Sequence, residues 1–523
     1  AAAFRAAWRA AIENGAVASS TGWRWEKTYG DPFEYLGWCS WEHYKKEIDA
    51  ESMAAAVREL TEGEAPVRWV LIDDGHQLEH GLRLKSFAPD PAKFPDGWGP
   101  IVGLRDPRSI RWIGLWHCFQ GLWKTLDEEN DFGDLNDDLA RLPTGGYLPR
   151  GDEAAASRFY DRLIGSATDA GFDFVKIDVQ ASNVGWYRGT ANAVEASAHN
   201  AHALEAAVHE RLPHGMINCM AHNILCIFNT RHSAVSRCSI DYHLNDADSI
   251  ASHIVQSYTN SLWMGWSVWP DHDMFHSSDA EAGRMMAVSK ALSGAPVYLS
   301  DAPSQIRADL VRPLCLSDGR LLRPLAPAAP VPESTFLDAL GEADRPYLVV
   351  APLTNRCAAV AAYNLVQEPT RVRGSVGADA YRYAGMLLAD DAAWEVPDEG
   401  VVAYEWYTGR TTRLGRRTPR VAEALAVDLG HLEDSLVLLC PVVHGWAVIG
   451  RADVYLSPAA VTSVERTAET VTVTLAESGP LLVWSDGDPV RCDEAPCTPL
   501  GEGLWRVELD VRPAERRITV SRA

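Results

Sequence analysis

The chain has 523 residues, 47% hydrophobic and 23% charged, which is an ordinary composition for a globular protein but too long for one core, so two domains are expected. Its formal net charge of -23 argues against binding to nucleic acid or to an anionic membrane, because both need a basic surface. No run of about 18 apolar residues occurs, so no transmembrane helix is predicted.

Residues 1–10 are Ala-rich but carry charges inside the apolar run, which predicts an amphipathic helix and not a signal peptide. Because the chain also lacks an initiator Met, loss of an upstream segment is one expectation. The ten cysteines lie mostly singly in apolar runs, as in reduced cytosolic proteins, with Cys492 and Cys497 as candidates for pairing. A cytoplasmic location is therefore expected, and no cysteine spacing resembles a zinc site.

Short β-rich runs alternate with helical patterns through roughly the first 300 residues, which indicates a parallel α/β architecture. Eight strands are predicted, the number that a closed barrel needs: 35–40, 67–73, 111–117, 173–178, 215–220, 234–241, 262–267 and 296–300. Helices are predicted over 51–62, 153–170, 191–211, 248–259 and 279–292. The connections 74–109 and 118–151 are long, and such loops usually shape the substrate site of a barrel.

A Pro-rich stretch, 324–332, interrupts this alternation and marks the predicted domain boundary. Beyond it, alternating runs such as 347–352, 471–475 and 504–509 are separated by turn residues and predict an antiparallel β-sandwich. We therefore predict a helical lead-in (1–30), a catalytic (β/α)8 barrel (31–325) and a C-terminal β-sandwich domain (335–523).

Polar and aromatic residues collect at the carboxyl ends of the predicted strands, where barrel enzymes hold their catalytic groups. One Asp at a strand end is more often a helix cap or a turn residue, but here the coincidence recurs on seven of the eight strands. The residues are Trp41, Glu42, Asp73, Asp74, Trp116, His117, Lys176, Asp178, Cys219, Arg237, Asp241 and the segment 269–275.

Asp178 and Asp241 end two of these strands, so two carboxylates could face one pocket. Retaining sugar hydrolysis needs a carboxylate that attacks the anomeric carbon and, about 5 Å away, a carboxylic acid that protonates the leaving oxygen. Lys176 lies on the same strand face as Asp178, and a nearby ammonium keeps a carboxylate ionised. Asp178 is therefore the predicted nucleophile and Asp241 the acid/base, while a buried structural ion pair of Lys176 and Asp178 is the alternative.

Asp73 and Asp74 directly follow an apolar strand. Adjacent residues project differently, so the pair can hold two neighbouring hydroxyls by charge-assisted hydrogen bonds. The alternative is a loop start in which one Asp caps the next helix.

Six segments resemble, in order, the motifs of the raffinose synthase/seed imbibition protein group of glycoside hydrolase family 36: 36–42 (LGWCSWE), 71–77 (LIDDGHQ), 176–180 (KIDVQ), 237–241 (RCSID), 270–277 (PDHDMFHS) and 298–301 (YLSD). The resemblance covers roughly residues 30–325. It implies a (β/α)8 barrel, a C-terminal β-sandwich and a retaining double displacement on α-galactosides that uses neither metal nor cofactor. Family members also carry a large β-sandwich before the barrel, so this chain is expected to be either truncated or a compact variant.

By this resemblance, Asp178 takes the place of the nucleophile and Asp241 that of the acid/base. Asp73 and Asp74 resemble the pair that holds the galactose 4- and 6-hydroxyls. The residues that correspond to the lining of the sugar subsite are Trp41, Trp116, Lys176, Arg237 and Asp273.

His76 and His272 depart from the family pattern, because both stand where the family usually has Trp. Two apolar walls would then become polar groups that can donate to a hydroxyl, an acetamido oxygen or an anionic substituent. Met220, next to the candidate sugar-binding residue Cys219, stands near a position where some relatives direct an acid toward the 2-hydroxyl. These departures leave the identity of the sugar open.

The leading interpretation is a retaining α-glycosidase that acts on an α-galactoside, with an α-linked oligosaccharide or glycoside as its partner and the oligomeric state left open. Close alternatives are a transglycosylase of the raffinose synthase type and a glycosidase for a different or modified sugar. A remote alternative is a metal-dependent hydrolase using His and Asp residues at 73–76, 117, 222, 241–243 and 271–276, although no His-x-His follows the first strand. A non-catalytic sugar-binding protein would not need both Asp178 and Asp241.

Overall fold

The computed structural model describes residues 1–13, 15, 17, 19–189, 192–368, 370–389, 392–416, 424–487 and 489–523. Eight strands form one sheet in the order β7-β6-β5-β4-β3-β2-β1-β8, and every neighbouring pair is parallel. The strands are β1 Gly37–Cys39, β2 Trp69–Ile72, β3 Trp112–Cys118, β4 Phe174–Asp178, β5 Met216–Asn218, β6 Val235–Arg237, β7 Trp269–Asp271 and β8 Tyr298–Leu299.

The sheet closes between β7 and β8 through Phe275, which follows β7. Phe275 N donates to Tyr298 O (3.2 Å), and Ser300 N donates to Phe275 O (2.9 Å). The resulting parallel bridge between Phe275 and Leu299 completes the predicted barrel.

The longer helices before residue 294 cover the outside of the barrel and agree with the sequence periodicity. In the helix Glu153–Ala170, for example, Phe159, Leu163 and Ala167 recur every four residues and are buried, and the side chain of Asp152 caps the first turn. The helices of eight or more residues are α1 Ala2–Glu13, α2 Ala50–Glu62, α3 Glu153–Ala170, α4 Ala193–Arg211, α5 Ala247–Met264, α6 Gly283–Ser293 and α7 Ala378–Gly385. Single-turn α-helices occupy Trp41–Tyr44, Gly99–Val102, Asn183–Trp186, Ile224–Ile227 and Ala308–Val311. The predicted start of the fourth helix at Ala191 lies outside the described residues.

The prediction of the seventh strand at 262–267 is wrong. Leu262–Met264 form the last turn of α5, and the strand lies further along the chain at Trp269–Asp271. Ile254, Tyr258 and Leu262 recur every four residues and are buried, so the apolar run continues one face of a helix.

The sixth strand is shorter than predicted and ends at Arg237. Asp241 therefore lies in the loop after β6, four residues beyond the strand end. This position leaves the Asp241 side chain half exposed, whereas Asp178 at the end of β4 is buried.

The two long connections each contain an antiparallel hairpin: Gln77–His80 with Arg83–Pro89 after β2, and Leu139–Arg141 with Tyr147–Pro149 after β3. Leu126 joins the hairpins, because it bridges Leu84 on one side and Tyr147 on the other. The long loops thus form one structured cover beside the carboxyl ends of β2 and β3.

The C-terminal region is built of antiparallel sheets, which confirms the predicted β-sandwich class. A six-stranded sheet has the order Ala329–Pro330, Tyr347–Pro352, Ala358–Tyr363, Asp434–Pro441, Val401–Glu405 and Thr411–Leu414, with Val372–Val376 and Leu425–Leu429 paired separately. Two four-stranded sheets follow: Trp446–Arg451, Leu481–Ser485, Leu504–Val507 and Cys497–Gly501; then Val461–Arg466, Thr470–Leu475, Arg516–Arg522 and Val490–Arg491. They share an apolar core to which both sheets contribute.

Side-chain contacts tie the six-stranded sheet to the barrel. The hydroxyls of Tyr258 on α5 and Tyr363 lie 2.8 Å apart, and Arg284 on α6 donates to the Asp434 carboxylate at 3.0 Å. The domain limits at 31–325 and 335–523 stay predictions. All ten cysteines are free, so the expected pairing of Cys492 with Cys497 is not found.

Candidate active site

One small cavity opens at the carboxyl ends of β1 to β7. Nine of the twelve site residues predicted from the sequence line it, and His76, His272 and Asp273 do not. The lining residues are Trp41, Asp73, Asp74, Trp116, Trp123, Lys176, Asp178, Cys219, Met220, Arg237, Asp241 and Met274. The barrel thus gathers residues from seven strands around a space framed by carboxylates and tryptophans.

Asp178 is the last residue of β4, and its carboxylate is held by two donors. Trp116 Nε1 donates to Oδ2 (3.2 Å), and the backbone amide of Val179 donates to Oδ1 (2.6 Å). Burial raises the pKa of Asp178, while the Lys176 ammonium, the Val179 amide and the Cys219 side chain act in the opposite direction. Val179 itself has a left-handed backbone (φ +62°), which aims its amide at the carboxylate.

We expect the Cys219→Ala variant to lose activity on the acid side of its pH profile. The nucleophile must be ionised, and the Cys219 side chain favours the ionised form of Asp178. Its removal therefore raises the pKa of that carboxyl further and moves the acid limb of kcat/KM to higher pH. At a pH on this limb the loss is about 2- to 10-fold, the worth of one hydrogen bond. Cys219→Ser keeps a donor and is the matched control. Superimposable limbs for the alanine variant and wild type would contradict the role given to the thiol.

Lys176 forms its ion pair with Asp73 and not with Asp178. Lys176 Nζ lies 2.9 Å from Asp73 Oδ2, and each side chain is 3% exposed. The Cys39 thiol also donates to Asp73 Oδ2 (3.3 Å). Lys176 therefore influences Asp178 only through its charge, because its hydrogen bond goes to Asp73 at the end of β2, two strands away in the sheet.

Asp74 presents an unused acceptor to the cavity. Trp123 Nε1 donates to its Oδ2 at 2.8 Å and Lys46 Nζ lies 3.4 Å away, but the buried Oδ1 has no hydrogen-bond partner among the described residues. A buried polar atom without a partner costs about 1–3 kcal/mol, which a ligand hydroxyl would recover. Burial raises the pKa of Asp74, against the indole and ammonium contacts.

Arg237 organises the other side of the cavity. Its guanidinium donates from Nη1 to Asp273 Oδ1 (2.7 Å) and from Nη2 to Asp241 Oδ1 (2.6 Å). Burial alone would raise the pKa of Asp273, but the Arg237 charge holds it below its usual value. Asp273, whose φ is +68°, also accepts from Tyr242 N (3.0 Å). The carboxylate of Asp273 therefore holds the guanidinium of Arg237 in place, and the guanidinium in turn holds the carboxylate of Asp241.

His76 and His272 lie in the protein interior, outside the cavity lining. His76 is 3% exposed, with Nδ1 3.2 Å from Asp73 O, and burial lowers its pKa to about 3. The ring nitrogens of His272 face the hydroxyls of Ser261 (3.3 Å) and Ser289 (3.2 Å), and burial lowers its pKa well below the usual value. Burial disfavours the protonated form of both imidazoles, and neither ring belongs to the cavity lining where the sequence comparison predicted it.

Trp123 and Met274 line the cavity but were not among the predicted site residues. Trp123 lies in the connection after β3, outside all six motifs, so only its position in a long loop near a strand end could have drawn attention to it. Met274 lies inside the segment 269–275, where the charged residues were the more obvious candidates.

Among the described residues, no group of three or more His, Cys, Asp or Glu side chains is arranged to hold a metal ion. The segments named for a metal-dependent hydrolase therefore do not converge on such a site in this part of the chain. In the same residues, none of the helices is both long enough and apolar enough to cross a membrane.

A family model described as raffinose synthase or seed imbibition protein Sip1 matches residues 20–84 and 151–495. Probable galactinol–sucrose galactosyltransferase 6 of Arabidopsis thaliana is 29% identical over an alignment of 354 positions that covers 60% of this chain and 47% of that protein. Probable galactinol–sucrose galactosyltransferase 1 of the same plant is 25% identical over an alignment of 535 positions, gaps included, that covers 88% of this chain and 69% of that protein. The matched part spans about half the length of the former relative.

Solved structures of low sequence identity share the fold. α-Galactosidase I from Mortierella vinacea has a TM-score of 0.51 at 15% identity, with 78% of this chain and 96% of that chain covered. A β-L-arabinopyranosidase from Geobacillus stearothermophilus has a TM-score of 0.54 at 15% identity, with 80% and 98% covered. At 15% identity, both similarities show only that the fold is shared.

Proposed function

This chain belongs to the raffinose synthase/seed imbibition protein family, and from that premise we propose that it is a retaining α-glycosidase that acts on α-galactosides. The observation that carries the proposal is that Asp178 and Asp241 line one cavity together with two further carboxylates, Asp73 and Asp74. Two carboxylates of unlike environment are what the double displacement needs. The other pair supplies acceptors for the hydroxyls of one sugar ring.

In the first step, a carboxylate oxygen of Asp178 attacks the anomeric carbon while Asp241 gives its proton to the glycosidic oxygen. The bond to the leaving alcohol breaks, and a glycosyl ester of Asp178 remains. In the second step, Asp241 takes a proton from water, the water oxygen attacks the anomeric carbon, and the ester bond to Asp178 breaks. Two inversions give net retention.

The surrounding residues assist both steps. Trp116 and the Val179 amide orient Asp178, and Arg237 fixes Asp241. The sugar-binding carboxylates are held in place before substrate binds, Asp73 by Lys176 and Asp74 by Trp123. This arrangement lowers the entropic cost of orienting the sugar.

A second candidate function is transfer of the galactosyl group to another sugar, because the named relatives are galactinol–sucrose galactosyltransferases. The chemistry is unchanged except that an acceptor hydroxyl replaces water in the second step. Galactinol with and without sucrose distinguishes the two functions: sucrose-dependent formation of raffinose supports transfer, and galactose released at an equal rate without sucrose supports hydrolysis.

The primary test is a panel of aryl α-glycosides with the anomer of the first product followed by NMR. We expect cleavage of the α-galactoside with α-galactose released first, and kcat/KM at least about 100-fold lower for the α-glucoside, since a changed 4-hydroxyl leaves a buried carboxylate unpaired. Release of β-galactose first would refute the double displacement. Higher activity on N-acetylgalactosamine or 6-substituted galactosides would instead favour a glycosidase for a modified sugar.

A further inference from the structure

Exposed apolar side chains gather in the loops after β5 and β6. Twelve large hydrophobic side chains are exposed among the described residues, and five of them fall between residues 220 and 244. Their exposed fractions run from 36% to 56%, and they are Met220, Ile224, Leu225, Ile240 and Leu244, called the apolar rim below. Single exposed apolar residues are ordinary, but a concentration of them in two consecutive loops of the barrel, one of which places Met220 in the cavity lining, indicates a surface that binds a ligand.

The apolar rim adjoins the proposed acid. Met220 lines the same cavity as Asp241, Ile240 directly precedes Asp241, and Leu244 follows three residues later. Asp241 is itself 51% exposed, whereas Asp178 is 8% exposed. The cavity therefore runs from buried charged groups at the nucleophile to an exposed acid, with Met220 in the lining and further apolar residues beside the acid in the chain.

The backbone under the apolar rim is held by hydrogen bonds. Met220 O accepts from Ala181 N (2.9 Å), and Ile240 N donates to Gln256 Oε1 (3.1 Å). Asn223 caps the single helical turn that presents Ile224 and Leu225. The polar side chains of Gln256 and Asn223 are thus engaged with backbone groups, and the apolar side chains face outward from a preformed surface.

The mechanism indicates which part of the substrate lies against the apolar rim. An acid that protonates the glycosidic oxygen must come within about 2.6–3.2 Å of it, so the group bonded to that oxygen begins beside Asp241. We infer that the apolar rim is the aglycone site and that it selects α-galactosides whose aglycone is apolar, an alkyl or aryl group, over those linked to a second sugar. This inference rests on the proposed function. The hydroxyls of a sugar aglycone would lose their hydrogen bonds to water at the apolar rim and form few hydrogen bonds to the protein in return, which disfavours binding.

The test compares octyl α-galactoside, kept below its critical micelle concentration, with methyl α-galactoside and melibiose. The two alkyl glycosides have leaving groups of similar acidity, so their kcat/KM ratio reports aglycone binding. We expect octyl α-galactoside to exceed methyl α-galactoside by at least about 10-fold, as burial of two methylene groups provides. Melibiose should fall below octyl α-galactoside.

The Ile240→Ser/Leu244→Ser double variant should reduce the octyl-to-methyl ratio to about threefold or less, since fewer methylene groups are then covered. Val511→Ser removes an exposed apolar side chain in the C-terminal region (54% exposed, against 36% for Ile240 and 38% for Leu244) and is the control, expected to keep the wild-type ratio. Leu244→Ser alone, checked by thermal unfolding, guards against misfolding of the double variant.

A wild-type ratio near one, a ratio unchanged in the double variant, or a preference for melibiose would overturn the inference while leaving the proposed function standing. If neither these glycosides nor an aryl α-galactoside is cleaved, the proposed function itself fails, and the inference fails with it.

Discussion

Replacement of Asp178 by alanine is expected to abolish turnover of p-nitrophenyl α-galactoside, with kcat lowered on the order of 10⁵-fold or more. No other carboxylate at the end of β4 can form the glycosyl ester, and loss of a nucleophile cannot be offset by the remaining acid. Burial already disfavours the charged form of Asp178, so replacing this carboxylate by a methyl group should leave the fold intact. Initial rates and thermal unfolding measure the two effects separately.

Asp173 provides a control for this variant, since it is the same residue type immediately before β4, at the opposite end of the strand. It accepts from Arg105 Nε (2.9 Å) and from Ile113 N (2.8 Å). Asp173→Ala should lower the free energy of unfolding by about 1–3 kcal/mol because the amide of Ile113 loses its partner, but kcat should change little. Near-wild-type turnover by Asp178→Ala would remove Asp178 from the role of nucleophile.

Asp241→Ala is expected to discriminate among leaving groups. Methyl α-galactoside needs protonation of its leaving oxygen and should lose about 10²- to 10⁴-fold in kcat/KM, whereas 2,4-dinitrophenyl α-galactoside should stay within about tenfold of wild type. Added azide needs no general base, so it should speed turnover of the glycosyl ester and give α-galactosyl azide. A series of aryl galactosides plotted against leaving-group pKa displays the effect as a steeper slope.

The matched control is Asp246, five residues beyond Asp241, which caps α5 by accepting from Ser249 N (3.0 Å). Its alanine variant should lose about 1 kcal/mol of stability and show the wild-type dependence on leaving group. An equal loss on good and poor leaving groups in Asp241→Ala would count against its role as the acid.

Local pattern was enough to predict much of the barrel, and its failures have identifiable causes. The run that ends at Asp178 is short, apolar and bounded by turn signals, so its strand could be predicted. The run 262–267 has the same composition, but it ends a helix that began fifteen residues earlier, and periodicity over six residues cannot distinguish the two.

The contacts within the site were harder to predict than its members. Lys176 and Asp73 are 103 residues apart in the chain, and their charges meet because β4 and β2, on either side of β3, both point side chains into the barrel. For His76 and His272, the motif comparison identified the changed residue type. It could not tell which way each ring faces, because that depends on packing against Trp98 and on the hydroxyls of Ser261 and Ser289.

The left-handed backbone at Val179 has a consequence for how the protein can change. A β-branched residue at φ +62° costs on the order of 1–3 kcal/mol, and the surrounding barrel must supply that stability. Glycine would adopt the same conformation without strain, but it would also free the amide that now aims at Asp178. Val179 is also buried (5% exposed), so glycine would lose the packing of the isopropyl group and more chain entropy on folding, which offsets the relief of strain. Selection for heat resistance therefore does not favour glycine here, and the demands of stability and of catalysis both keep valine at this position.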